Sequence, residues 1–546
     1  MNGALAIARI LKQEGVEFAP CYPNNPILEG LSLEGIRPIV TRQERVAGNM
    51  ADGISRMSNA RRIGVFVVQS SAGAENAFAG VAQAWTDSSP ILCLPGHPGR
   101  AMVGVSPHFD SVCNYRGVTK LAEKIPFARH IPDRMRRAFT ALRAGRPGPV
   151  LLEVPIDVAD ETFEGKLEYV PVPRIRMGAD PTAVRDAARV LCQAKRPLIL
   201  AGQGVLYAEA WDELRAVAEL VALPVVTSLL GKSAFPENHP LALGPAAFAT
   251  TEPAEKFLDK ADLILAVGTS LSVTPFTPKI KGKKRFIHAT IDPRDINKEY
   301  VADVPVISDA KIFLAQLLEE LRRNEGGQAS PAQQVVESEI RQIKQAWLAR
   351  YRSKFESDQI PLNPYRIIGD FMRAIDPTKA VVTHESGGPR DQLSPFYESV
   401  NPRGYLGWGQ STQLGFSLGL AMGAKLAAPE KLVVNFMGDG SIGMVGMDLE
   451  TAARNEIPIL TIVLNNGVFG NYDRYLPISA EKFGIKNVTG NYADLARSLG
   501  VHAERVDRPD EITPSLERSI RRVCDGQPVL LEMMSAEEGM IPGREH

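Results

Sequence analysis

The sequence has little cysteine and almost no net charge, and each shortage argues against a class of protein. It holds 5 cysteines in 546 residues, and no two of them stand in a CxxC spacing. Scattered thiols favour small buried side chains over a disulfide framework or a zinc site. Its 62 basic and 63 acidic residues leave a formal net charge of -1. No basic patch alternates with aromatic residues, which argues against a nucleic-acid partner.

Long apolar runs are also missing. The N-terminal stretch 1–15 has helical periodicity with Arg9, Lys12 and Glu14 inside it, and is typical of neither a signal peptide nor a membrane span. We therefore expect a cytoplasmic protein without membrane contact. The chain is long enough for three or four domains. Its apolar content of 44% is typical of a globular protein, and an enzyme acting on small molecules is the default expectation.

One strand, turn, helix, strand unit carries the clearest chemistry. The apolar run 431–436 leads into the turn 438–440 (GDG), and the apolar run 458–464 ends in two asparagines. In an open parallel sheet the carboxyl ends of the strands hold the ligand, so Asp439 and Asn466 are predicted to lie side by side. Two hard oxygen ligands flanked by glycines suit Mg2+ and a diphosphate.

The spacing of these motifs, GDG followed after 24 residues by NN, resembles the cofactor signature of thiamine diphosphate (ThDP)-dependent decarboxylases and carboligases. The resemblance implies Mg2+ held by Asp439, Asn466 and the backbone carbonyl of Val468. It also implies that the neighbouring residues contact the cofactor: Gly438, Gly440, Ser441, Phe469 and Gly470.

A second motif lies almost 400 positions earlier. Glu44 stands where the apolar run 36–40 passes into a helical pattern, 46–56, and a helix N-terminus favours its negative charge. Segment 43–56 (QERVAGNMADGISR) resembles the HEQ-AA-HAADGYAR segment of acetohydroxyacid synthases and their relatives. In that family the glutamate protonates N1' of the cofactor's aminopyrimidine, so Glu44 is the predicted catalytic carboxylate.

The first third of the chain also departs from the synthase pattern. The turn 69–76 (QSSAGAEN) resembles the family's TSGPGATN turn, with Ser71 and Ala72 replacing Gly and Pro, and Gly73 and Asn76 are its predicted cofactor contacts. The residues at which we expect the substrate to be recognised are Asn24, Asn25, His97, His108 and Phe109. A histidine in a loop is usually a solvated surface group. The position of His97 and His108 after a strand nevertheless favours a catalytic role in substrate binding or proton transfer.

Two further segments belong to the predicted cofactor site. The strand 380–383 ends in HESGG, whose Glu385 and Ser386 stand at a glycine-rich end suited to phosphate oxygens. Segment 405–419 (YLGWGQSTQLGFSLG) resembles the GGLGTMGFGLPAAIG stretch of the synthases. By that resemblance Gln413 contacts the cofactor, and Leu414 is the apolar wedge that bends it.

Alternating strands and helices predict an α/β fold with three doubly wound parallel-sheet domains. We place them at 1–160 (pyrimidine-binding), 181–323 (central) and 361–535 (diphosphate-binding). The linkers are predicted at 159–180 and at a Gly/Ser stretch, 324–330, followed by a charged helix. The central GQG turn is a weak nucleotide signal. In the family this domain binds FAD, ADP or nothing, and all three stay open.

The reaction predicted first is decarboxylation and carboligation of a 2-oxoacid, as in an acetolactate synthase, a transferase or lyase activity. The alternative is a 2-hydroxyacyl-CoA lyase or oxalyl-CoA decarboxylase, and a third, less favoured, is a non-catalytic ThDP-binding paralogue, against which the retained Glu44 argues. Because Glu44 and Asp439 belong to different domains, the resemblance implies a homodimer or homotetramer with its active sites between subunits.

Overall fold

Three α/β domains follow one another along the chain in a computed structural model that describes residues 1–23, 25–325 and 332–544. Each domain is built on a six-stranded sheet whose paired strands are all parallel. The predicted fold class is therefore confirmed. The sheets lie within 18–155, 197–307 and 380–534, and the exact domain boundaries stay predictions. Asn24 and most of the Gly/Ser linker, 326–331, lie outside the described residues.

The first sheet has the strand order β2-β1-β3-β4-β6-β5. Its strands are β1 Phe18–Cys21, β2 Arg37–Val40, β3 Gly64–Val68, β4 Ile91–His97, β5 Leu121–Lys124 and β6 Val150–Pro155. Its helices are α1 Gly3–Gln13, α2 Ile27–Leu33, α3 Glu44–Met57, α4 Ala72–Thr86, α5 Ser111–Tyr115, α6 Ile131–Arg143 and α7 Ile156–Asp160.

The central sheet has the order β12-β11-β10-β7-β8-β9. Its strands are β7 Pro197–Ala201, β8 Val225–Thr227, β9 Ala242–Pro245, β10 Leu263–Val267, β11 Arg285–Thr290 and β12 Val304–Ile307. Its helices are α8 Pro181–Cys192, α9 Gln203–Ala208, α10 Trp211–Leu220, α11 Glu252–Lys260 and α12 Ala310–Glu325, and the linker helix α13 spans Ala332–Phe355.

The third sheet has the order β14-β13-β15-β16-β18-β17. Its strands are β13 Ala380–His384, β14 Tyr405–Leu406, β15 Leu432–Gly438, β16 Leu460–Asn465, β17 His502–Val506 and β18 Val529–Met534. Its helices are α14 Pro364–Ala374, α15 Gly388–Leu393, α16 Phe416–Ala427, α17 Asp439–Val445, α18 Leu449–Arg454, α19 Tyr472–Tyr475, α20 Pro477–Phe483, α21 Tyr492–Ser498 and α22 Pro509–Cys524. Short 3-10 turns include Pro293–Asp295 and Gly446–Asp448.

The central strands are buried on both faces, which explains their continuous apolar runs. In β3, Val65 and Val67 pack with α1 and α6, whereas Phe66 and Val68 pack with α3 and α4 on the other face. Successive side chains of a strand point to opposite faces, so a sheet covered by helices on both sides needs apolar residues at every position. The edge strands β5, β9, β12 and β14 lack such runs or are short, and the sequence analysis did not predict them.

The first and third domains of the chain pack on each other through α3 and α16. A Cβ on Gly53 would lie 2.3 Å from the carbonyl oxygen of Leu420, and a Cβ on Gly423 would lie 2.0 Å from that of Met50. Only glycine permits so close an approach of two helix backbones. This contact fixes the helix that begins at Glu44 against the diphosphate-binding domain of the same chain.

Candidate functional site

Three strand ends of the first domain meet at one edge of its sheet. The side chain of Asn25 follows β1, donates to the carbonyl of Val68 at 2.9 Å, and accepts from the Ile27 N–H at 3.0 Å. A Cβ on Gly96, in β4, would lie 3.3 Å from the Ser70 nitrogen. Asn25 therefore ties β1 to β3, and its amide is already used within the protein.

The turn after β3 contains a residue with a strained backbone conformation. Ser71 has φ +52° and ψ -100°, a region that glycine adopts freely and other residues do not. The family pattern has glycine at this position, so the backbone shape survives the replacement by serine. Gly73 is buried against Gln69, and Asn76 is exposed on the first turn of α4.

The two predicted histidines occupy different environments. His97 is not in a loop, as the sequence analysis assumed, but ends β4 with 7% of its surface exposed. Its Nδ1 accepts the Gly99 N–H at 3.2 Å, and burial lowers the pKa of the ring. A neutral His97 with Nδ1 as acceptor carries its proton on Nε2. His108 lies exposed in the loop that follows, beside the half-buried Phe109.

Glu44 is the first residue of α3, as the sequence predicts, and only 4% of its surface is exposed. The residue before it, Gln43, has the extended φ of -140° and ψ of 139° that is typical of a residue preceding a helix. A helix N-terminus stabilises negative charge, and this carboxylate lies within its first turn.

The GDG turn connects β15 to α17, and Asp439 begins the helix. Its Oδ1 accepts the Gly440 N–H at 2.8 Å and its Oδ2 accepts the Gly467 N–H at 2.7 Å. The predicted closeness of the two motifs is therefore confirmed, because Gly467 directly follows Asn466. Burial raises the pKa of Asp439, and a cation bound there would favour the charged carboxylate.

The residues around Asp439 form a compact turn. The side chain of Asn466 accepts the Val468 N–H at 3.1 Å, and the Ser441 hydroxyl donates to the Gly438 carbonyl at 2.8 Å. Phe469 lies over Gly440, where a Cβ would come within 2.6 Å of its ring, and Gly470 is exposed beside it.

Glu385 holds the segment that carries Leu414. Its Oε2 accepts the N–H groups of Gly415 at 2.9 Å and Ser417 at 3.3 Å, together with the Ser417 hydroxyl, and its Oε1 accepts the Ser386 N–H. The carboxyl is fully buried, and burial raises its pKa to about 7. All of these bonds are internal, so Glu385 orients the turn beside the half-buried Leu414.

The third-domain turns have room for a diphosphate. A Cβ on Gly438 would meet only Pro389, at 3.9 Å, and a Cβ on Gly387 would meet nothing within 4 Å. The Oε1 of Gln413 is buried without a hydrogen-bond partner among the described residues. Open glycine faces, a buried carboxylate and an unpaired amide oxygen fit the predicted cofactor and metal.

A cavity of about 170 Å³ separates the first and central domains. Arg146 lies on its wall and pairs with Asp295 at 3.0 Å. Gln203, the first residue of α9, is buried there, and neither its Oε1 nor its Nε2 has a partner in the described part of the chain. The cavity therefore offers an unpaired amide to a ligand.

Family models match all three domains. The N-terminal TPP binding domain of thiamine pyrophosphate enzymes matches residues 1–119, the central domain 184–317, and the C-terminal TPP binding domain 386–533. The chain is 31% identical to a protein of Methanocaldococcus jannaschii named "Probable acetolactate synthase large subunit", over 99% of this chain and 93% of the relative. The chain belongs to the thiamine diphosphate-dependent enzymes.

Other members of the family are similar to this chain over most of their length. The acetolactate synthase isozyme 3 large subunit of Escherichia coli (strain K12) is 30% identical over 100% of this chain and 96% of its own length. The acetolactate synthase large subunit of Corynebacterium glutamicum is 30% identical over 99% and 88%. The predictions of the family, of ThDP and of an enzyme are thereby confirmed.

The predicted metal site is not a cluster of acids. Within residues 1–23, 25–325 and 332–544, no group of three or more His, Cys, Asp or Glu side chains could hold a metal ion, and the predicted Mg2+ ligands include only one carboxylate. In the same part of the chain no helix combines the length and apolar character needed to cross a membrane.

The sequence analysis missed the residues that hold the segment around Glu44 against the third domain. Arg42 donates its backbone N–H to Asp448, and Arg45 lies beside Gly415, where a Cβ would come 3.1 Å from its Nη2. Asp448 belongs to the DLET sequence, a pattern that by itself indicates only a helix N-terminus.

Proposed function

We propose that this chain is a 2-oxoacid carboligase of the acetolactate synthase type, which depends on ThDP and Mg2+. The observation that carries the proposal is the close pairing of the GDG and NN turns in a chain whose relatives, over nearly its whole length, are named acetolactate synthase large subunits. Its substrates would be small 2-oxoacids.

The residues present can perform the tasks that this chemistry needs. Bound ThDP supplies a carbon nucleophile that attacks a carbonyl carbon. Asp439, Asn466 and the Val468 carbonyl would hold Mg2+, and the open face of Gly438 would admit the diphosphate. The remaining turn residues, Gly440, Ser441, Phe469 and Gly470, would shape that pocket.

Four further residues would act on the reacting part of the molecule. Glu44 would give its proton to N1' of the aminopyrimidine, and Leu414, oriented through Glu385, would support the bent cofactor. The buried, neutral His97 would donate from Nε2 to a substrate oxygen. His108, which is exposed in the loop after β4, would complete the substrate site with Asn25 and Phe109.

A second copy of the chain would complete each site. Three apolar side chains are exposed just after the NN turn, with Tyr475 at 76%, Ile478 at 66% and Phe483 at 79% exposure. An apolar patch of this kind is typical of a subunit interface. Sedimentation should therefore show a dimer or tetramer, and a fully active monomer would refute the shared site.

The cavity between the first and central domains would bind a nucleotide, FAD or ADP, with the side-chain amide of Gln203 hydrogen-bonded to its heterocycle. Native mass spectrometry of the purified protein tests this directly. A mass increase equal to either nucleotide supports it, and a nucleotide-free protein that also binds neither when titrated overturns it.

A donor screen tests the reaction. With ThDP, Mg2+ and pyruvate, we expect carbon dioxide release and an acetolactate-type product, independent of coenzyme A. Cleavage that requires a 2-hydroxyacyl-CoA or oxalyl-CoA would instead identify the lyase or decarboxylase alternative. Binding of ThDP without turnover of either donor class would identify a non-catalytic paralogue.

A further inference from the structure

The loop before Glu44 is held by the third domain of the same chain. The backbone N–H of Arg42 donates to Asp448 Oδ1 at 2.8 Å, and the side chain of Gln43 donates to the Met444 carbonyl at 3.0 Å. Arg454 donates to the Val40 carbonyl at 2.7 Å. Three bonds thus reach across more than 400 positions of sequence to the five residues that precede α3 and Glu44.

Asp448 differs from the other members of this contact because it is completely buried. Its exposure is 0%, and the Thr451 hydroxyl donates to the same Oδ1 at 2.9 Å. Its Oδ2 has no hydrogen-bond partner among the described residues. A buried carboxyl with an unused oxygen costs stability, so the fold retains a costly group at the point where it meets the Arg42 amide.

Charged groups from several elements face this carboxyl. Arg42 and Arg454 share Glu450 at the exposed rim, and the guanidinium of Arg45 interacts electrostatically with both Asp448 and Glu385. Burial nevertheless raises the pKa of Asp448 to about 6. The hydrogen bond from the Arg42 backbone N–H is therefore the specific contact to Asp448. The neighbouring ion pairs at the rim are partly exposed and contribute little to stability.

The position of the bond matters for Glu44. Gln43, between Arg42 and the helix, has no side-chain bond to the helix N-terminus, so the direction in which α3 starts depends on where the Arg42 amide is fixed. We propose that Asp448 is a positioning residue for Glu44, acting through the Arg42 backbone N–H. This inference rests on the proposed function, since it assumes that Glu44 serves the cofactor.

The same short segment would then serve two purposes. Asp439, the predicted metal ligand, begins α17, and the 3-10 turn that directly follows this helix ends at Asp448. The polypeptide that binds the metal thus also supports the first-domain loop that bears the predicted acid.

Substitutions of Asp448 test the inference, with Glu450→Ala as the matched control on the same segment. In the described part of the chain, the side chain of Glu450 pairs with Arg42 and Arg454 at the exposed rim. Asp448→Asn keeps an oxygen that accepts the Arg42 N–H, whereas Asp448→Ala removes it. In the cofactor-free protein, we expect amide hydrogen exchange of segment 41–46 to accelerate about tenfold in Asp448→Ala, as for one lost hydrogen bond. Asp448→Asn and Glu450→Ala should stay near the unaltered protein.

The loaded enzyme gives the second measurement. In Asp448→Ala, proton exchange at C2 of the cofactor should fall about ten- to a hundredfold, the usual effect of losing a supporting contact, while ThDP affinity stays within about twofold of the unaltered protein. Asp448→Asn should restore most of the exchange rate. If Asp448→Ala does not fold, Asp448→Ser, which is polar but too short to reach Arg42, replaces it.

The outcomes separate this inference from the proposed function. Normal C2 exchange and normal amide protection in Asp448→Ala or Asp448→Ser would overturn the positioning role and leave the proposed function intact. Equal losses in Asp448→Asn and Asp448→Ala would also overturn it, because the hydrogen bond would not be the cause. An unaltered protein that binds no ThDP would overturn the proposed function itself.

Discussion

Two glycine-rich turns of this molecule resemble each other in sequence, but their glycines have different structural roles. The turn 202–204 (GQG) follows β7, and the turn 438–440 (GDG) follows β15. Both strands lie in the middle of a six-stranded parallel sheet, where a ligand is expected at the carboxyl end.

In the central domain the glycines are required by the protein itself. A Cβ on Gly202 would lie 2.3 Å from the Gly268 carbonyl oxygen, and a Cβ on Gly204 would lie 2.6 Å from the Gly268 Cα. Gly268 has φ +62°, so three glycines pack backbone against backbone. This packing explains the GQG sequence without a phosphate.

In the third domain the first glycine is not required by packing. A Cβ on Gly438 would meet no atom closer than 3.9 Å, whereas the carboxylate that follows it is buried and bonded to the Gly467 N–H. The comparison teaches that a glycine turn can be required by backbone packing alone, whereas an empty space beside the glycine and a bordering charged group indicate a phosphate site.

The largest expected effect comes from the carboxylate that distinguishes the two turns. Asp439→Ala should lower Mg2+-dependent ThDP affinity by about a hundredfold or more, since it removes the only carboxylate among the predicted metal ligands. Isothermal titration calorimetry measures this. Asp494→Ala, which removes an exposed carboxylate of the same domain, is the control, and unchanged affinity in Asp439→Ala would contradict the metal assignment.

The next effect concerns the first domain. Glu44→Gln keeps the shape of the side chain but cannot exchange a proton, so turnover should fall by about 100- to 10,000-fold while ThDP still binds. C2-proton exchange and calorimetry report the two quantities separately. Undiminished exchange in this variant would remove Glu44 from the catalytic role.

A pH effect on stability should come from Glu385, a buried acid of the third domain. Its pKa is raised from 4.5 to about 7 by burial, so the folded protein holds a proton that the unfolded chain releases. Stability is complete below pH 4.5 and falls as the pH rises towards 7, by about 3 kcal/mol at most.

Glu385→Gln removes this contribution. Urea unfolding at pH 5 and pH 7 should therefore show a smaller loss of unfolding free energy in the variant than in the unaltered protein. Identical pH dependence in both would show that the carboxyl is ionised throughout this range.

The smallest expected effects come from alanine substitutions in the two glycine-rich turns. Gly204→Ala should lower the free energy of unfolding by about 1–3 kcal/mol, because its methyl group overlaps Gly268, and should leave ThDP affinity unchanged. Gly438→Ala should leave the unfolding temperature unchanged and weaken ThDP binding. Calorimetry and thermal unfolding of both variants test this, and the opposite pattern would reverse the assignment of the two turns.

Local patterns predicted much of the fold and of the cofactor site. The strand predicted at 380–383 is β13 Ala380–His384. The apolar runs 431–436 and 458–464 match β15 and β16 within two residues at each end, since apolar runs of this length form buried strands. Short edge strands such as β14 Tyr405–Leu406 escaped prediction because two residues carry no periodic signal.

The placement of the first-domain residues could be predicted less well. His97 was placed after its strand, whereas Pro95, Gly96 and His97 continue β4 beside β6. Asp448 could not be recognised at all, because its partner is a backbone amide more than 400 positions away. No local sequence pattern indicates a contact between residues so far apart in the chain.

The sequence by itself determined the family, the three sheets and the GDG and NN motifs, because strand periodicity, turn residues and motif spacing are local properties. Only the tertiary structure decided which glycines leave open space, that Glu385 orients the Gly415 turn, and that Asp448 meets the Arg42 amide. These features depend on which backbones pack together, and packing brings together residues that are far apart in the chain.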